Sequence, residues 1–98
     1  MNITKQQNGN ALTVALEGRL DTVTAPELEA ELSKSLDGVN TLTLDFSKLE
    51  YISSAGLRVL LSAHKRMSAV GTMTITHVNE IVQEVFEVTG FSEILNIE

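Results

Sequence analysis

Two adjacent hydroxyls and a glycine, Ser53-Ser54-Ala55-Gly56-Leu57, stand where strand-like alternation gives way to helical spacing. Serine is favoured at a helix start because its oxygen can accept one of the amides left free there. Glycine in a first turn is unfavourable, by ~1 kcal/mol against alanine in a helix interior and less at an end, so its presence calls for a reason. One reason is packing, the missing side chain letting the helix approach a strand closely. The other is access: with no side chain beside it, Ser54 lies open to an approaching protein and becomes a substrate for a modifying enzyme. A phosphate at Ser54 would add about −1.5 to −2 charges near neutrality, at a helix end whose dipole tolerates an anion. The fold would survive this, but a partner shaped around a neutral hydroxyl would lose its fit, because desolvating the phosphate is costly. Arg58 lies one turn further on, within reach of such a phosphate, although a solvated surface cation is its simpler reading.

Other chemistries find little support. An exposed serine at a strand-to-helix turn suggests a nucleophile, yet there is no Gly-x-Ser-x-Gly pattern, and helix or strand periodicity already accounts for the two histidines, His64 and His77. Two histidines with no cysteine and no clustered carboxylates make no metal site. Neither Gly-x-Gly-x-x-Gly nor Gly-x-x-x-x-Gly-Lys occurs, so no nucleotide or other cofactor is expected. With 7 Lys and Arg against 13 Asp and Glu, the net charge of −6 argues against direct binding to nucleic acid or to an anionic membrane surface. No apolar run reaches the ~18 residues of a membrane span, and the first residues lack the apolar stretch of a signal peptide. A reducing, cytoplasmic setting suits a chain without cysteine.

The elements that must position Ser54 follow from periodicity. At 98 residues and 43% hydrophobic content, one domain covering residues 1–98 is expected. Leu12, Val14 and Leu16 alternate with Thr13, Ala15 and Glu17 behind the turn-forming Asn8-Gly9-Asn10, predicting a hairpin over about Asn2 to Glu17. Thr24-Ala25-Pro26-Glu27 fits a capping box opening a helix from about Ala25 to Asp37, with Leu28, Leu32 and Leu36 on one face and Gly38 beyond its end. Leu42, Leu44 and Phe46 mark a strand, and Leu57, Leu60, Leu61, His64 and Met67 a helix over Ala55 to Ala69. A strand over Thr72 to Thr76 follows, then a helix capped by Asn79 and ended by Gly90, and a terminal turn or short strand. The predicted class is α/β: a mostly parallel sheet of four to five strands with an antiparallel N-terminal hairpin strand, packed with three to four helices. Function belongs at the carboxyl ends of its strands, where Gly18 to Thr24 and Ser47 to Ser54 form two connections.

The segment from Leu44 to Leu61, LDFSKLEYISSAGLRVLL, together with Glu17-Gly18-Arg19-Leu20-Asp21 and Ala25-Pro26, resembles the STAS domain of bacterial anti-sigma factor antagonists. The likeness covers essentially the whole chain. It implies a regulatory protein without catalytic activity that binds an anti-sigma factor, itself a serine kinase, and so frees a sigma factor for transcription. It further implies that the kinase phosphorylates Ser54, with Ser53 a secondary acceptor, and that a PP2C-type phosphatase reverses the modification. The partner surface carried over by the resemblance comprises Asp21, Thr22, Ser53, Ser54, Ala55, Gly56 and Arg58. Here Ser53 replaces the family's usual aspartate before the phosphorylated serine, and Ala55 replaces a hydroxyl residue after it. An alternative role within the same family is that of an accessory subunit docked on the ATPase of a lipid-transport ABC system.

Overall fold

The computed structural model describes residues 1–98. Strands β1 (Asn2–Asn8) and β2 (Ala11–Leu20) form the hairpin, followed by α1 (Ala25–Ser35), β3 (Thr41–Ile52), α2 (Ser54–Ser68), β4 (Thr72–Thr76) and α3 (Glu80–Thr89). A 3-10 turn at Phe91–Glu93 leads into the two-residue strand β5 (Asn96–Ile97). The five strands lie in the order β1-β2-β3-β4-β5, with β1 antiparallel to β2 and every other pair parallel. Gly9 alone takes a positive φ (62°) in the two-residue hairpin turn, the pattern of a type II′ connection.

All three helices cover one face of the sheet. The register aligns Leu12, Leu42 and Met73 in one row and Val14, Leu44 and Ile75 in the next, and these belong to a single cluster of 24 buried apolar side chains. Phe86 brings α3 onto this face, its ring 6.5 Å from that of Phe46. The opposite face is a row of small polar residues, Gln6, Thr13, Thr43, Thr74 and Asn96 in successive strands.

The boundaries differ from the periodic reading in two informative ways. Strands β2 and β3 run on past the expected ends, to Leu20 and Ile52, so the start of the first connection and most of the second are strand. Two register shifts, between Ala15 and Glu17 and between Gly18 and Arg19, place extra residues in β3 and break its alternation. The Asp45 carboxylate stabilises the first of these bulges by accepting from the Ser47 amide at 2.9 Å. The capping box also proves wrong in detail. Thr24 stands at the N-cap of α1 in a helical conformation and caps no helix amide with its side chain. Its hydroxyl instead donates to the Arg19 carbonyl (2.7 Å) and accepts from the Asp21 amide (2.9 Å), while Asp21 Oδ1 accepts from the Val23 and Thr24 amides. The aspartate and the threonine organise this turn together, neither as the expected helix cap.

Candidate functional site

The two strand extensions bring the loops after β2 and β3 side by side at the carboxyl edge of the sheet. Leu20 pairs with Ile52, and the Ser53 amide donates to the Leu20 carbonyl at 2.9 Å. The start of α2 is thereby fixed beside the turn Asp21-Thr22-Val23-Thr24. Backbone hydrogen bonding from Thr24 holds the Asp21 carboxyl below the ordinary carboxylate range, with Arg19 adding a weaker attraction at 3.9 Å. Asp21 is therefore an anion whose first task is to shape the loop.

Ser54 is the first residue of α2 and is exposed. Ser53, just before it, is extended and makes no side-chain cap, and its hydroxyl oxygen is buried without a hydrogen-bond partner. The expectation that serine caps this helix is thus corrected, and with its oxygen out of reach Ser53 is a poor acceptor. Gly56 is buried as well. A methyl group added there would lie 2.7 Å from Leu20 Cγ and 2.9 Å from Ile52 Cγ1. Of the two reasons offered for this glycine, close packing of helix on strand is therefore the operative one. Gly56 contributes to the surface only by letting the first turn of α2 sit low against β2 and β3.

Thr22 and Arg58 are exposed and Ala55 is half-buried. Together with Ala25, Pro26, Glu29 and Val59 they line a groove of ≈ 180 Å³ between the first turns of α1 and α2. Arg58 enters no ion pair, whereas Arg19 lies near Asp21 and Arg66 binds Asp37 at 2.8 Å. Two further features belong to this edge that periodicity did not single out. Val23 is 85% exposed, an apolar side chain at the rim of the loop. The Arg19 guanidinium lies 4.6 Å from the centre of the Tyr51 ring, a cation–π pair joining the bulged ends of β2 and β3. The lone Val23 between two threonines carried a signal, since no core periodicity claims it. The Arg19–Tyr51 pairing depends on a register that sequence alone does not reveal.

The site offers an exposed alcohol, a shallow groove and one uncommitted cation, and no cluster of three or more His, Cys, Asp or Glu side chains is arranged to hold a metal ion. His64 is half-buried on α2, and His77 is exposed at the end of β4, 3.3 Å from Asp45. Neither stands with Ser54 as a base.

The family model described as the STAS domain matches residues 2–98. The chain belongs to the STAS domain family. Among curated relatives, BtrV of Bordetella bronchiseptica, provisionally named an anti-sigma factor antagonist, is 37% identical over 99% of this chain and 85% of its own length. The anti-sigma-B factor antagonist of Bacillus subtilis is 26% identical over 99% of this chain and 90% of its own. The solved structure of the Bacillus cell fate determinant SpoIIAA in its phosphorylated form shares the fold, with a TM-score of 0.77 at 19% identity, covering 99% of this chain and 91% of that one. No helix of this STAS domain is long and apolar enough to cross a membrane.

Proposed function

We propose that this STAS domain is an anti-sigma factor antagonist controlled by phosphorylation at Ser54. In this reading it is a cytoplasmic binding module, not an enzyme. The unmodified form sequesters an anti-sigma factor that is also a serine kinase, releasing the sigma factor to transcription. The observation that carries the proposal is the exposure of Ser54 at the first turn of α2, level with the Asp21 turn and the groove, while the neighbouring Ser53 oxygen is buried. The names of the relatives, matched along the length of the chain, support the same reading and lend nothing to the transporter-subunit alternative.

The chemistry belongs to the partners. The kinase transfers the γ-phosphoryl group of ATP to Ser54 Oγ: an O–P bond forms, the bond to the departing ADP oxygen breaks, and the hydroxyl proton passes to a base of the kinase. A PP2C-type phosphatase hydrolyses the ester, restoring the alcohol and releasing inorganic phosphate. Between these events the domain keeps its fold, because the new charge stands in water at the positive end of α2. Docking is lost because a surface that covers Thr22, Val23, Ala55 and the neutral Ser54 must now desolvate a dianion.

Incubation with the cognate kinase and ATP should add one phosphate at Ser54, mapped by mass spectrometry, and Ser54→Ala should abolish the addition while keeping kinase binding. Ser54→Asp should fold normally and bind the kinase at least tenfold more weakly, about 1.4 kcal/mol by calorimetry. Equal affinity of Ser54→Asp and the unmodified chain would overturn the switch.

A further inference from the structure

We infer that Arg58 is the in-built receiver of the Ser54 phosphate, so that modification closes an ion pair on the domain's own surface and draws the arginine away from the wall of the α1–α2 groove. The inference rests on the phosphorylation of Ser54 proposed above. Ser54 and Arg58 are four residues apart on α2, the spacing that brings side chains together on one helix face. Both are exposed. Arg58 is the one arginine of the three with no carboxylate within ion-pair distance, even though Glu29 lines the same groove. The first turn of α2 contains no acidic residue and no side-chain cap, so nothing in the unmodified chain occupies the place an anion on Ser54 would take. By contrast, the other two helices open on loops in which a side-chain oxygen is already committed, Asp21 before α1 and Asn79 at α3.

Guanidinium and phosphate match in geometry as well as charge, the planar fork presenting paired N–H donors to two phosphate oxygens. In the unmodified state Arg58 stands free beside Thr22 and Ala55, and with Glu29 the only other charged side chain lining the groove, the patch carries no net charge. After modification the same patch is net negative, and the long arginine side chain is drawn off the groove wall toward Ser54. A partner then meets a negative charge and also a groove whose wall has moved. Arg58 thus acts as a positioning residue for the phosphorylated state.

The test uses the full chain with phosphoserine placed at position 54 during translation, which makes it independent of any kinase. The phosphate should titrate, by phosphorus NMR, below its usual second pKa of about 6. Arg58→Gln should raise the midpoint by about 0.2–0.4 pH unit, the size expected of an exposed ion pair one helical turn apart, and the difference should shrink in 1 M salt. Arg58→Lys should recover part of the shift. The Arg58 Nε–H signal, broadened by exchange with water in the unmodified chain, should sharpen and move on phosphorylation. Identical phosphate midpoints in the original and Arg58→Gln chains would overturn the inference, even if phosphoserine still abolishes partner binding. If phosphoserine leaves partner binding unchanged, the switch itself fails, whatever the midpoint.

Discussion

Two neighbouring serines face opposite fates because one residue changes the direction of the chain. Ser53 is still extended and sends its oxygen inward, whereas Ser54 begins the helix and is exposed. The sequence shows two hydroxyls at a helix start and so identifies the place. The glycine and the family resemblance already point to Ser54, but the burial of the Ser53 oxygen is not legible, because it depends on how low α2 sits on the sheet. Gly56 sets that height. Gly56→Ala should leave Ser54 exposed but destabilise the domain by about 1–3 kcal/mol in urea unfolding, since the added methyl must displace Leu20 and Ile52. An unchanged unfolding midpoint would show that the first turn lifts off without cost. Arg58 was legible as a cation one turn from Ser54, but its freedom from every carboxylate becomes evident only when its neighbours are in place.

Among the elements, the extension of β3 does most to build the site. Beyond Asp45 it has no β4 partner, since the pairing of those strands ends at Asp45 and Thr76. Asn79 supplies the missing support, its Oδ1 accepting from the Val82 amide at 2.8 Å to cap α3 and its Nδ2 donating to the Leu49 carbonyl at 2.9 Å. One side chain thus anchors a helix start to an unpaired strand edge. Asn79→Ala should cost about 1 kcal/mol from the lost cap alone. Hydrogen exchange should rise at Val82 and also in β3 around Leu49, which a purely local cap would leave unchanged. The cap itself was legible, because asparagine followed by Ile81, Val82, Val85 and Phe86 is a recognisable helix opening. The length of β3 was not, because its bulges leave Ser47, Lys48 and Glu50 exposed and interrupt the alternation by which strands are read.

At the scale of the whole molecule, three carboxyls are held below their usual range. The Thr24 amide does this for Asp21, Lys5 for Glu31 and the Ser47 amide for Asp45. A carboxyl that releases its proton more readily when folded contributes stability above its unfolded pKa, and that contribution is lost as pH falls through the folded value. Thermal stability should therefore change little from pH 7 to about 5 and decline below about 4, where unfolded carboxyls bind protons first. Asp21→Asn and Asp45→Asn should each flatten that acid limb in melts followed by circular dichroism. A limb of unaltered steepness in both would show that these loops hold without their charges. The α/β class, the order of elements and the mostly parallel sheet were all legible from alternation and helical spacing. The confinement of the helices to one face was not read from the sequence, although the polar residues Thr13, Thr43 and Thr74 alternating with the apolar ones carry its signal.

The antiparallel first strand returns the start of the chain to the edge that bears the site. The Met1 Cα lies 3.7 Å from where a side chain on Gly18 would begin, and Gly18 is three residues from Asp21 along the chain. Any purification handle or reporter fused ahead of Met1 would emerge at this rim and crowd the proposed docking surface. Bait proteins for partner capture are better immobilised through an engineered cysteine on the bare threonine face, at Thr13 for example. The absence of native thiols makes that attachment unique.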